Sequence, residues 1–469
     1  MADWQTTTHG FLATVLALFL AGCASAPPVP HPKVLLPTQW HLSSPAERLG
    51  PAPDLRNWWR VFHDADLDRL VKQVLAQNLT IAAAAERLAA ARALETTARG
   101  RFRPGLGIQS GATPTPGATR SYYQINFDAS WQLGLFGRST SAARVAAGNA
   151  ELANADLGAA RVAIVAESVR DYLRLRAAQQ RLAIEQRLVK LQRRQLHLHD
   201  VLVREHLQDA TRLAKFRSAL GARITAIAAT RAAVQISAQR IALLLGRSAP
   251  PWWLHRAATP PRPTSFAFKV IPANLLRTRP DVQRAEAKVL KAAGKAGIAQ
   301  ADLYPHLALG AGLSWSVSQV GGHLLTSSAI PFFGPLINLP LFDWGERHAA
   351  LRARNHLLQA ALLDYRQTVY TAVAETEMAL ARLHATQVRV TQSQAQVQAL
   401  RKVTKSAEIL RRLGLGDGLS LGRSRLRLIQ TELEAAQART AEGVALVALY
   451  KALGGAALPS APARTAPQP

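Results

Sequence analysis

The chain has 469 residues, enough for two or three domains or for one architecture spread over long helices. Its formal net charge of +27 suits nucleic acid, anionic lipid or an acidic partner, but the arginines are dispersed and do not alternate with aromatics, so nucleic acid is not favoured and Arg and Lys are read as coating the solvent faces of long helices. A single cysteine, Cys23, excludes an intrachain disulfide and any cysteine-based metal centre.

Phe11 to Leu20 is an apolar run of secretory length, too short to span a bilayer. It leads into Leu20-Ala21-Gly22-Cys23, which resembles the lipobox of bacterial lipoproteins. That resemblance implies a signal peptide over 1–22, acyl chains on Cys23 and, with Ala24 rather than Asp after it, sorting to the outer membrane. Residues 1–10 hold no Lys or Arg and include Asp3, a departure from the usual leader. An ordinary signal peptide with a chance cysteine is the alternative. Residues 23–53, rich in proline near their start, read as a lipidated tether.

Next comes Asn57-Trp58-Trp59-Arg60-Val61-Phe62-His63-Asp64-Ala65-Asp66-Leu67, leading into a helix that ends near Gln77-Asn78. The double tryptophan and the Phe-x-Asp-x-x-Leu spacing resemble the opening segment of the TolC-type outer-membrane efflux proteins, and more closely their lipoprotein (NodT-like) branch serving RND-type pumps. Read from chemistry alone, Trp58 and Trp59 are core anchors. This segment opens a first repeat over 54–247.

Strands are expected at about 104–135. Tyr123, Ile125, Phe127, Ala129, Trp131, Leu133 and Leu135 fall on one face, and Gln124, Asn126, Asp128, Ser130 and Gln132 on the other. An apolar face opposite a polar one suits a barrel strand between lipid and a wet lumen, or a half-buried strand of a sandwich. The hairpin turn falls in Thr113 to Ala118. The corner Leu133-Gly134-Leu135-Phe136-Gly137-Arg138 resembles the family's strand-to-helix corner, with Gly137 where the chain must bend.

From Ser141 to about Glu205 no proline interrupts, and Leu175, Leu182, Val189, Leu196 and Val203 recur every seventh residue, a coiled-coil seam. Roughly 60 helical residues reach about 90 Å. A return helix runs from about Arg212 to Leu245 and stops at Gly246. The Pro-rich stretch 248–272 crosses to a second repeat over 273–456. Pro104 is matched by Pro305 at an offset of 201, and Gly137 by Gly345 and Gly246 by Gly454 at an offset of 208. The second copy opens with Leu275-Leu276-Arg277-Thr278-Arg279-Pro280-Asp281-Val282, which closely resembles the family's most recognisable motif and is physically a helix start. Its strands are expected at about 305–341. Leu307, Leu309, Ala311, Leu313, Trp315 and Val317 oppose His306, Ala308, Gly310, Gly312, Ser314 and Ser316, and the corner glycine is Gly345. A long helix then carries the seam Leu362, Val369, Thr376, Leu383, Val390 and Val397 beside the smaller row Ala372, Ala379, Thr386 and Ser393. A last helix runs from about Leu421 to Leu453, and 457–469 reads as a disordered tail.

No catalytic constellation is present. His197 and His199 lie two apart on a helix and share no face, and there is no GxSxG, HExxH or Gly-rich phosphate loop. Neither an enzyme nor a cofactor or metal is expected. The functional region is the pair of helical turns near His206 to Arg212 and Gly414 to Gly422. The resemblance implies that these tips converge to close the periplasmic end, held by carboxylates that favour cations. The family pattern has a glycine six residues before an aspartate in each copy, and a further aspartate three residues on in the second. Laid on this chain it falls on His206 and Arg212, then on Gly416, Gly422 and Arg425. The acidic positions are therefore basic or empty, with Asp209 and Asp417 near enough to substitute or to pair with the arginines. A pore less cation-selective than the family's is expected; arginines facing solvent or a neighbouring helix are the alternative.

The expected fold is mainly α with a membrane β-barrel, internally duplicated. One chain supplies four strands, too few to close a barrel around water. The resemblance implies a homotrimer sharing a twelve-stranded barrel above a long helical tunnel, lipid-anchored in the outer membrane and extending into the periplasm. It would dock on a periplasmic adaptor (membrane fusion) protein and an inner-membrane RND-type pump, and pass small molecules passively. A duct for type I protein secretion is the alternative within transport. A basic coiled-coil scaffold or nucleic-acid-binding protein is the alternative outside it, and the export signal and alternating strands speak against it.

Overall fold

The structure, a computed structural model, describes residues 26–30, 55–113, 120–263, 279–320 and 323–455. The signal peptide, Cys23, most of the tether, nearly all of the first hairpin turn, residues 264–278 and the 457–469 tail lie outside the described residues. After a 3-10 turn at Trp58–Phe62 come α1 (Ala65–Gln77), α2 (Leu79–Ala98), β1 (Gly105–Thr113), β2 (Arg120–Gln132), α3 (Arg138–Arg204) and α4 (Ala210–Leu244). The second copy supplies α5 (Pro280–Ala301), β3 (His306–Val320), β4 (His323–Asn338), α6 (Glu346–Arg412) and α7 (Gly418–Ala452). The long helices α3 and α6 both have 67 residues and the return helices α4 and α7 both have 35, so the duplication read from three marker residues extends to whole elements. No described helix is long and apolar enough to cross a membrane.

The chain forms two compact units. The first, built from 86–155 and 283–368 with the N-terminal residues, contains one antiparallel sheet in the order β1-β2-β3-β4. Its central pair joins the two copies: Ile125 stands opposite Trp315, Phe127 opposite Leu313 and Trp131 opposite Leu309, while Gln124 faces Ser316 and Asn126 faces Ser314. Opposed residues share a face, so the alternation expected in each strand adds up to one apolar side and one polar side. On the polar side Gln124 Nε2 donates to Asn126 Oδ1 and to Ser314 Oγ, both at 2.8 Å. β1 follows suit, with Ile108 beside Phe127 and Gln109 beside Asn126.

β4 does not. Its register puts Ile330, Phe332 and Leu336 opposite Ser314, Gly312 and Ala308, on the polar side, and Phe333 and Ile337 on the other. The glycines of β3 explain how large groups fit there. The Phe332 ring occupies the space a side chain at Gly312 would need, and Leu336 lies over Gly310. Pro331 and Pro335 also interrupt β4, which an edge strand tolerates.

Both hairpins leave the sheet through the same corner. Phe136 and Gly137 have φ of 53° and 76°, and Trp344 and Gly345 have 54° and 82°. A side chain at Gly137 would meet the Ala26 backbone, whereas Gly345 has open space and needs glycine only for its conformation.

The second unit, from 55–85, 156–282 and 369 onward among the described residues, holds the main core. Asp64 caps α1, its Oδ1 accepting from the Asp66 and Leu67 amides at 2.9 and 3.0 Å. Leu67, Leu70, Val71 and Val74 then form a buried helical stripe. Trp58 and Trp59 are buried as anchors, and Trp58 stacks on Tyr450 with ring centroids 4.9 Å apart. On α6 the seam is buried at Val369, Thr376, Leu383, Val390 and Val397, next to Ala372, Ala379 and Ser393. On α3 Leu175 and Val189 are buried, while Leu182, Leu196 and Val203 are half-buried.

One expectation about charge fails locally. Arg176 is 1% exposed. It donates to Gln179 Oε1 at 3.0 Å and to the Arg256 carbonyl at 2.6 Å, and its guanidinium stands 4.9 Å from the centre of the Tyr172 ring. Tyr172 in turn donates to Asp64 Oδ2 at 2.9 Å. Burial raises the Tyr172 hydroxyl far above its ordinary pKa, so it stays a donor. This arginine is a polar rivet in the core, not a solvent coating.

Candidate functional site: the two helical turns

Each long helix reverses into its return helix through residues 205–209 or 413–417. In the first turn His206 takes the left-handed conformation, φ 57°, and donates its amide to the Val203 carbonyl at 3.1 Å, while Leu207 reaches back to Leu202 at 2.8 Å. In the second Gly414 has φ 75°, donating to Arg411 at 3.1 Å, and Leu415 reaches Leu410 at 2.9 Å. These are the paired bonds that end a helix on a left-handed residue.

The turns then start the next helices alike. Asp209 caps α4, accepting from the Thr211 amide at 3.1 Å, and Asp417 caps α7, accepting from the Ser420 amide at 2.6 Å and the Ser420 hydroxyl at 2.8 Å. Those hydrogen bonds, led by the Thr211 and Ser420 amides, hold both carboxyls below the ordinary carboxylate range, so both are ionised at neutral pH.

The geometry shows how the two tips correspond to each other within the chain. His206 matches Gly414, the other left-handed residue, and not Gly416; Arg212 matches Ser420, and not Gly422. Gly416 lies in the turn, where a side chain would crowd the Arg411 amide at 3.3 Å. Gly422 is not in a turn at all. It is buried inside α7 against the Gln195 amide of α3, so it serves close helix packing. Arg425 lies 3.4 Å from Glu408, and Arg212 is exposed. Asp209 and Asp417 cap helices; the pairing expected with these arginines is replaced, for Arg425, by Glu408.

The structure also gives a place to a histidine that the sequence reading set aside, and brings in residues it did not name. His199 is buried, stacks on Phe216 at 4.0 Å between ring centroids, and places Nδ1 2.8 Å from Gln208 Oε1. The first turn is thus pinned from inside. At the same offset the second copy has Ala407, Ser424 and Gly416, so its turn has no such pin. Asp200 is shared by Arg204 and Arg217, and Glu408 by Arg412 and Arg425, so the helix ends that flank the turns are richer in cations than in carboxylates, while the turns themselves carry Glu205, Asp209 and Asp417. Among the described residues no cluster of His, Cys, Asp and Glu could hold a metal ion.

The arrangement offers two long helical hairpins whose turns are flanked by arginines, and a sheet with one greasy and one largely polar side. Known proteins resemble the chain in sequence and in fold. Nodulation protein T of Rhizobium leguminosarum bv. viciae is 28% identical over 384 residues, 79% of this chain and 78% of its own. Outer membrane protein OprJ of Pseudomonas aeruginosa is 26% identical over 467 residues, 95% of each chain. The solved outer-membrane channel OprN is 28% identical, with a TM-score of 0.78 over 92% of this chain and 99% of that one. The CmeC outer membrane channel of Campylobacter jejuni shares the fold at a TM-score of 0.80, over 94% and 96% of the chains, with 17% identity. A family model described as outer membrane efflux protein matches residues 70–247 and 271–455. Those two matched segments are the two copies of helix, hairpin and long helical pair, and on that correspondence the chain belongs to the outer membrane efflux protein family.

Proposed function

We propose that the chain is the lipid-anchored outer-membrane duct of a tripartite RND-type efflux system, working as a homotrimer. The observation that carries this reading is the sheet: one apolar side, one largely polar side, and two strands, β1 and β4, at its edges. Four strands cannot enclose water, whereas three copies of them make a twelve-stranded barrel of a size that can. The apolar side then meets lipid and the polar side lines the exit. Acyl chains on Cys23 add a second hold on the membrane.

The mechanism is passive. This chain's residues exclude lipid, keep the lumen wet and hold the tips closed until an adaptor and a pump engage them. Curated relatives carry names that point to very different cargo: a toluene efflux pump outer membrane protein and an antibiotic efflux pump outer membrane protein of Pseudomonas putida, and a cation efflux system protein of Escherichia coli. A duct shared across such cargo leaves selection to the pump, so small molecules as a class are the substrate here. The arginines on the helix ends beside the turns make the aperture less cation-selective than an acidic ring would.

The test is to purify the full chain in mild detergent, measure its mass, and reconstitute it in a planar bilayer. A trimeric mass with discrete ion conductance is expected. A well-folded monomer stable in detergent-free buffer would overturn the reading.

A further inference from the structure

Inside the chain, the corner that follows β2 packs on the residues that lead into β3. Phe136 stacks on Tyr304 with ring centroids 4.8 Å apart, and Arg138 forms an ion pair with Asp302. The corner that follows β4 has the same backbone, Trp344 standing where Phe136 does and Glu346 where Arg138 does. Yet Trp344 is 91% exposed, and Glu346 is exposed with it.

The duplication shows what these two residues lack. At the offset of 201, the counterparts of Asp302 and Tyr304 are Arg101 and Arg103, which lead into β1 and are both exposed. The ion pair is therefore reversed in sign: Arg138 with Asp302 inside the chain, Glu346 with Arg101 outside it. The ring stack becomes an indole facing a guanidinium, a favourable cation–π pair. Glu346 and Arg101 of one chain cannot meet in this way, because β4 and β1 are opposite edges of the sheet. Those of two copies can.

We infer that β4 of one copy pairs with β1 of the next in the register of β2 with β3, and that Glu346 against Arg101 and Trp344 against Arg103 close the seam beneath the strands. In that register Asn338 faces Gln109, as Ser130 faces Gly310 within the chain. The inference rests on the trimeric reading above and adds the residues that make the contact.

Arg101→Glu and Glu346→Arg, made singly and together in the full chain, test this. The readout is subunit exchange between differently tagged trimers in mild detergent. Each single change is expected to speed exchange about tenfold, since three exposed ion pairs are replaced by repulsions; the double change is expected to return to within about twofold of the wild type. Trp344→Ala and Arg103→Ala are expected to be no worse together than either is alone. Effects that simply add in both cycles, on a wild-type trimer that remains intact, would overturn the seam and leave the trimer standing. A wild-type protein that is monomeric in detergent would overturn the trimeric reading itself.

Discussion

Asn78 and Arg279 hold the same point of the two copies. The Asn78 amide donates to the Leu244 carbonyl at 2.8 Å, and Arg279 Nη1 donates to the carbonyl of Ala452, the counterpart of Leu244 at the end of the second return helix. Asn78 also caps α2, accepting from the Thr80 and Ile81 amides at 3.0 and 3.1 Å. Arg279 replaces that neutral clamp with a charged one, forking onto Asp281 at 2.7 and 3.0 Å and reaching Glu375 at 2.6 Å.

Arg279→Ala is expected to cost about 2–3 kcal/mol, because it removes a buried guanidinium from the Ala452 carbonyl and from two carboxylates that solvent still reaches. Arg279→Lys should recover little, since an ammonium cannot span both Asp281 oxygens. Asn78→Ala should cost about 1–2 kcal/mol through the lost cap and bond. Denaturant unfolding in detergent measures all three; equal losses for Arg279→Ala and Asn78→Ala would contradict the charged clamp.

The same clamp has a pH signature. Burial pushes the Asp281 carboxyl up, but the Arg279 fork and its charge outweigh burial, so its pKa lies below the ordinary value. A depressed carboxyl stabilises the fold above its unfolded pKa of about 3.9 and loses that contribution as pH falls through the folded value. The stability gap between wild type and Arg279→Ala is therefore expected to be constant from neutral pH to about 5 and to narrow below about 4. A gap that widens on acidification would refute the sign.

The two turns should differ in motion. His199, Phe216 and Gln208 pin the first from inside, and the second has Ala407, Ser424 and Gly416 there. Hydrogen exchange should be slower at Leu207 to Asp209 than at Leu415 to Asp417. His199→Ala should erase the difference, and should do so without changing exchange at the second turn. Asp417→Ala should speed exchange at Ser420, whose amide it caps.

Glycines divide into two kinds. Gly422→Leu drives a side chain into the buried Gln195 amide and is expected to cost about 1–3 kcal/mol by overpacking. Gly345→Ala meets nothing within 4 Å and should cost only the left-handed backbone, about 1 kcal/mol. Thermal unfolding of the two variants separates these causes.

Ion selectivity tests the arginines beside the turns. In a salt gradient across a planar bilayer the reversal potential should show weak cation preference, and Arg212→Asp with Arg425→Asp should shift it toward cations. A wild-type pore with strong cation preference would exclude the reading.

Periodicity made most of this architecture legible. The alternation in Tyr123 to Gln132 and Leu307 to Val317, the seam at Val369 to Val397, and the offsets linking Pro104 to Pro305 and Gly137 to Gly345 each predicted elements that the structure contains. What stayed hidden depends on contacts remote in sequence. Arg176 looks like every other arginine on a basic helical chain until partners up to 110 residues away bury it, and the motif that holds Arg279 does not reveal its bond to Ala452, 173 residues on. The tips are hard to read because His206 fills a left-handed position that glycine usually marks, and Gly422, which the family spacing picks out, packs on Gln195 of another helix. β4 was opaque for a related reason. Phe332 sits on the wet side only because Gly312, twenty residues earlier, leaves room for its ring.

Pro331 and Pro335 have a consequence for the life of a newly exported copy. Prolines sit in border strands with the imide nitrogen turned away from the neighbour, so the outer rim of β4 offers a ladder with two rungs gone. A stray extended peptide drifting through the periplasm finds poor purchase there, and zipping into aggregates is discouraged. Pro335 also falls within the inferred β4–β1 seam, so the corner contacts beneath the strands, which a stray peptide lacks, carry more of the joining.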